Sequence, residues 1–262
     1  MKSIRRWAPW FALVVLFSIA TSLLSWWQFT RREERVERIN QVQANYDQAI
    51  VPYASLDFES DMAVLEWRPV KVSGRYLPES AVVVRNRPLS GRAGFLQLIP
   101  FQLDDGRILA VERGWLPAGN PITTPASNPL PDNQVRELVL RIRAAEPSLG
   151  RGSVSGQLAS ITPAELSGLD PEWLITSHYG RLVSEAPASN QLPMAMPKPS
   201  LDEGNHLSYA LQWVLFGMMA FGAFVWAIRN ERRIQREELG LAPRREKRKN
   251  QAALDAEIED AR

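Results

Sequence analysis

The chain has two histidines, His178 and His206, and no cysteine. Thiolate nucleophiles, thiolate-bound metals and disulfides are therefore excluded. Hydrolytic triads and dinuclear metal centres usually draw on histidine, so catalysis is not the expectation. His178, in ITSHYGR, reads as a strand or loop histidine with ordinary partners. Met194 and Met196 form an M-x-M pair whose thioethers would suit Cu(I), against the plainer reading of two methionines in a proline-rich stretch. GRGSVSG, residues 150–156, resembles a nucleophile elbow, but its centre is Val154 rather than serine. It reads as a flexible turn.

His206 stands in a richer setting. In NHLSYALQW, residues 205–213, His206, Tyr209 and Trp213 follow i, i+3, i+7 spacing and share a helical face, with Gln212 beside them. Polar groups at the start of an apolar stretch are costly in lipid and point to a function or a partner. A second set, Trp26, Trp27, Gln28 and Arg31, closes another apolar stretch. If both stretches span a bilayer, the two sets meet at one membrane surface. An imidazole among aromatic rings, with an arginine for carboxylates, would suit an amphiphilic porphyrin. Interfacial anchoring plus a Gln28–Gln212 hydrogen bond, worth about 0.6 kcal/mol, explains the same residues. Residue types alone leave both readings open.

The elements that must position these groups follow from hydropathy. Residues 10–27 and 207–228 carry no charge over 18 and 22 residues, near the ~20 that a spanning helix needs. Cleavage after Ser18-Ile19-Ala20, as in a signal peptide, would cut the first run in its middle. So few residues precede that run that a bacterial membrane is the expectation. Eleven Lys and Arg flank the two spans on the terminal sides and five on the central side, which places both termini in the cytoplasm. The resulting plan is residues 1–9 inside, 10–28 spanning, 29–206 outside, 207–228 spanning and 229–262 as a cytoplasmic tail. The outer region holds 18 basic and 21 acidic residues, which argues against nucleic-acid binding. The tail has ten basic and eight acidic residues. It reads as a solvated, partly helical segment, with attraction of residues 244–249 to anionic lipid as the alternative.

Val36, Ile39, Val42, Tyr46 and Ile50 recur at helical spacing and predict an amphipathic helix leaving the membrane. Strands are expected at 69–74, 81–85, 95–103, 107–116 and 137–143, with a last one at 173–183. Asp104-Asp105-Gly106 marks a hairpin turn. Thr162-Pro163-Ala164-Glu165 reads as a capped short helix. Residues 117–131 form a proline-rich surface loop and 187–199 an extended tether. The fold class is a membrane protein in which two transmembrane α-helices flank one mostly β extracytoplasmic domain.

Three motifs in order resemble the surfeit locus protein one (Surf-one) family of cytochrome c oxidase assembly factors. SWWQFTRREER matches the family pattern after the first span at Trp27, Gln28 and Arg31. GRAGFLQLIPFQLDDGRILAVERGWLPAG matches the central block at Arg113, Gly114, Trp115 and Pro117. NHLSYALQW matches at Asn205, His206, Tyr209, Ala210, Gln212 and Trp213, and VKVSGRY also fits. Ser25 replaces the usual glycine, which allows less close helix approach, and Arg35 replaces a lysine. The resemblance implies a non-catalytic role. Haem a would be taken from haem A synthase and assisted into oxidase subunit I, with His206 as the haem ligand. To this we add that Tyr209 and Trp213 would shape the pocket and Arg31 face a propionate. Trp27, Gln28, Gln212 and the Arg113–Pro117 block are read as structural or docking elements. Alternative functions are an oxidase scaffold that binds no haem, or a two-span envelope receptor with the tail as its output.

Overall fold

The computed structural model describes residues 2–59, 61–150 and 156–241, with side chains from Arg5 onward. Two compact units result: Met1–Glu34 with Gly204–Arg262, and Arg35–Glu203. The 150–156 turn lies largely outside the described residues, and the 244–249 basic run lies wholly outside them.

The first unit contains α3 (His206–Glu238) and the part of α1 (Lys2–Asn45) that precedes Arg35. Their most apolar 18-residue windows are only 11% and 6% buried. Trp10, Leu16, Trp26 and Trp226 are each more than half exposed. A core helix of a soluble protein would hide such residues. Exposed apolar surface of this extent on two long helices supports a two-span membrane protein.

The second unit begins with the end of α1. Ile39 and Val42 are buried, and Asn45 donates from its amide to the carbonyls of Val64 (2.7 Å) and Glu66 (2.9 Å). Those contacts hold the helix end against a short turn, α2 (Met62–Leu65). Ile50 does not continue the helical face: it lies past the helix end and is 53% exposed.

The strands are β1 (Val51–Pro52), β2 (Pro69–Tyr76), β3 (Val82–Val84), β4 (Gly94–Leu103), β5 (Ile108–Pro117), β6 (Val135–Ala144), β7 (Gln157–Leu158) and β8 (His178–Ala186). Their order is β1-β2-β6-β8-β5-β4-β3-β7, and β2 also pairs with β4. That pairing closes β2, β6, β8, β5 and β4 into a barrel with β5–β8 as its parallel joint. Alternate residues fill the interior: Val70 and Val72, Ile99 and Phe101, Leu109 and Val111, Leu138, Leu140 and Ile142. The other face of β4 and β5 is buried too, since Leu96, Leu98, Ala110 and Trp115 pack under Leu158, Ile161 and Leu166. Burial on both faces explains why residues 95–103 and 107–116 read as near-continuous apolar runs while β6 alternates.

Several expectations need correction. The last strand starts at His178, because residues 170–173 turn and Leu174 makes only an isolated bridge to Ile108. Pro163–Glu165 is a single 3₁₀ turn without a side-chain cap, and Thr162 spends its hydroxyl on the Glu146 carbonyl at 3.0 Å. The 117–131 loop is not purely surface: Asn128 and Pro129 accept hydrogen bonds from the buried Gln97 amide at 2.7 and 2.9 Å. The extended 187–199 segment is anchored midway. Met194 and Trp115 exchange backbone hydrogen bonds of 2.7 and 2.9 Å. That contact separates the two methionines. Met194 is exposed, whereas Met196 packs against the core, so they form no thioether pair.

Candidate functional site

Small residues let α1 and α3 approach closely. Thr21 and Ser25 of α1, and Ala210 and Gly217 of α3, are buried although most of both helices is exposed. A Cβ on Gly217 would sit 3.0 Å from the Thr21 hydroxyl. Ser25 Oγ donates to the Ala210 carbonyl at 3.0 Å. The serine hydroxyl is thus itself a contact between the two helices. At the far end Trp7 Nε1 donates to Glu231 at 2.6 Å, Arg6 pairs with the same carboxylate, and Trp7 and Phe11 meet Phe224.

One turn beyond Ser25, Gln28 Oε1 lies 2.9 Å from Nδ1 of His206, the first residue of α3. Gln28 thus partners His206 and not Gln212, which is exposed. Arg31 lies 5.8 Å from the Trp27 ring centre and pairs with Glu34 at 3.1 Å. Tyr209 is half exposed, and Trp213 meets Phe216 edge-on at 5.7 Å. Of the residues singled out by the sequence, the structure joins Gln28 to His206 and Trp27 to Arg31. Ser25 and Gly204 were missed. The sequence signal for Ser25 was the run Thr21, Ser25, Gln28 at three- and four-residue steps.

The Arg-Gly-Trp block is interior. Arg113 has a fully buried side chain that donates to Gln97 (2.9 Å), Pro129 O (3.3 Å), Glu185 (3.4 Å) and Ser189 (3.2 Å), with its guanidinium carbon 5.0 Å from the Tyr76 ring centre. Burial works to raise the Glu185 carboxyl, but hydrogen bonds from Ser189 and Tyr76 and the Arg113 charge hold it below its ordinary range. Burial pushes the Tyr76 hydroxyl far up. Gly114 has φ +147° at a bulge in the β4–β5 ladder, where a Cβ would lie 2.6 Å from Met194 O. Trp115 is 1% exposed and donates to Arg87 O at 2.6 Å, and Pro117 ends the strand half-buried. Arg113, Gly114 and Trp115 thus make their contacts inside the domain.

His178 is as enclosed. Tyr53 Oη lies 2.8 Å from its Nε2, Ser177 Oγ 2.9 Å from its Nδ1, and its ring stacks on Phe58 at 4.3 Å. Burial, with the nearby Arg107 charge, pushes the imidazole down to about 4. Among the described residues no three histidine or carboxylate side chains cluster as metal ligands.

The SURF1 family model matches residues 15–218. An uncharacterised SURF1-like protein of Mycobacterium bovis is 30% identical over 258 residues, covering 89% of each chain. The SURF1-like protein of Drosophila melanogaster is 27% identical, over 83% of this chain and 75% of that one. Surfeit locus protein 1 of Xenopus tropicalis is 23% identical, over 82% and 73%. The chain belongs to the SURF1 family.

Proposed function

From that membership we propose that the protein is a membrane-bound assembly factor of haem–copper cytochrome c oxidase, which holds haem a as cargo and passes it to subunit I. Haem A synthase would be the donor. The reading places the protein in the bacterial cell membrane, with both termini cytoplasmic and the barrel outside, and assigns it no catalysis of its own.

The observation that carries it is the pairing of His206 with Gln28 at the junction of two apolar helices. The residues fit the cargo. His206 keeps one ring nitrogen beyond that pairing, and a neutral imidazole is a standard haem ligand. Tyr209 and the Trp27 ring present exposed aromatic surface on the two helices, suited to a flat macrocycle. Arg31 supplies a cation for a propionate, in exchange with Glu34. Haem a brings the redox chemistry used later in the oxidase; this chain binds, shields and releases it.

The test is the spectrum of protein purified from cells making haem a. His206→Ala should abolish most bound haem at unchanged membrane level, while His178→Ala, compared at equal folded protein, should retain it. Full retention in His206→Ala would favour a scaffold that binds no haem.

A further inference from the structure

We infer that Gln28 and Gly204 are positioning residues for His206: Gln28 fixes its tautomer, and Gly204 keeps the approach to its other nitrogen clear. A carboxamide oxygen only accepts hydrogen bonds. The ring nitrogen facing Gln28 Oε1 at 2.9 Å is therefore an N–H. In a neutral imidazole the second nitrogen, Nε2, then carries the lone pair. That is the state a metal centre requires, and hydrogen bonding at the distal nitrogen is how proteins commonly set it.

The register that creates the contact is built in. Ser25 precedes Gln28 by three residues and Ala210 follows His206 by four, so the hydroxyl-to-carbonyl bond at 3.0 Å sits one turn deeper and, with the close Thr21–Gly217 approach, is one of several contacts that hold both partners in register. Gly204 lies beside the other edge of the ring. It has φ +73°, and a Cβ there would stand 3.6 Å from Cδ2 and 3.8 Å from Nε2 of His206. A side chain there would begin in van der Waals contact with the edge carrying the lone pair, where glycine leaves only hydrogen. The amide, the imidazole and the glycine backbone would thus offer a nitrogen donor to a metal centre. The identity of that centre as haem iron rests on the proposed function; the tautomer does not.

Two histidines in the chain make the measurement simple. Full-length protein with ¹⁵N-labelled histidine, in lipid nanodiscs, gives two ring spin systems, and His206→Ala assigns them. His206 should show a pyrrole-type Nδ1 and a pyridine-type Nε2. Gln28→Leu should convert this to a mixture of tautomers, and Gln28→Glu, which retains an acceptor, should restore it. Gly204→Asn suits the positive φ and should leave the tautomer alone. Its affinity for added haemin, titrated by absorbance, should nonetheless fall on the order of tenfold. A pyridine-type Nδ1 in the parent, or an unchanged pattern in Gln28→Leu, would overturn the role of Gln28. Undiminished haemin affinity in Gly204→Asn would overturn the role of Gly204. If the tautomer behaves as expected while His206→Ala still binds haemin, the haem reading fails and the tautomer inference stands.

Discussion

The two histidines occupy opposite environments. His178, at the start of a barrel strand, is 2% exposed, has a hydroxyl on each nitrogen and stacks on a phenyl ring. His206, at the start of a helix, is half-buried and, among the described residues, has one nitrogen engaged. The first is spent on the fold; the second has coordination left to offer. The same contrast separates the two units. In the barrel even charges are enclosed, as with Arg113 against Glu185 and Arg181 against the buried Glu112 at 3.0 Å. In the helix pair a few small and polar side chains and the Trp7, Phe11 and Phe224 rings touch, and most of the remaining surface is exposed. Substitutions in the barrel should therefore remove the protein, and those at the helix edge should remove only what it does.

The largest effect is expected at Gly114. Gly114→Glu would force a side chain into Met194 O, require φ +147° of a residue that avoids it, and bury a charge. These costs add to at least ~4 kcal/mol. Membrane abundance should collapse, measured by immunoblot against parent protein. Normal accumulation with loss of oxidase would break the contrast, because it would make the Arg-Gly-Trp block a docking surface after all.

How much of this could be read beforehand depended on whether the deciding partner was local. The β4 and β5 runs, the Asp105-Gly106 turn and both long helices are written in hydropathy and turn residues, and each appears close to its expected place. The closing β2–β4 pairing is not, since Gly74, Arg75 and Tyr76 meet Leu103, Gln102 and Phe101 only once the chain has curved. For the site, residue types selected Gln28 and His206 but assigned Gln28 to the wrong partner. Gln212 faces outward from α3, and helical spacing alone cannot say which face meets another helix. Gly204 carried no signal, because its role exists only relative to the folded imidazole ring.

The next effect concerns pH. An ordinary histidine titrates near 6.5, and His178 is held down to about 4. The folded state thus binds this proton less readily than the unfolded chain. Its neutral form is fully compatible with folding above 6.5, and stability falls as pH drops from 6.5 towards 4. For one such group the loss is on the order of 2–3 kcal/mol. Urea unfolding of the full chain in nanodiscs, followed by tryptophan fluorescence, should show this slope, and His178→Gln should flatten it. An unflattened slope between 6.5 and 4.5 would mean that another group carries the acid sensitivity, and that His178 is less enclosed than its contacts imply.

The smallest expected effect tests the other side of the contrast. Ser25 is 5% exposed and its hydroxyl bonds the Ala210 carbonyl across the helix pair. Ser25→Gly removes that bond but allows the backbones to settle closer. Interhelical bonds of this kind average about 0.6 kcal/mol, so the change in an SDS titration of the helix pair should be of that order or less. The His206–Gln28 contact one turn away should survive, visible as an unchanged His206 tautomer. Ser25→Leu should do the opposite. Its bulk would push the helices apart at a buried point, costing about 1–3 kcal/mol, and should separate Gln28 from His206. If Ser25→Gly alone scrambled the tautomer, a single hydroxyl would be setting the register, and the helix pair would be as tightly specified as the barrel.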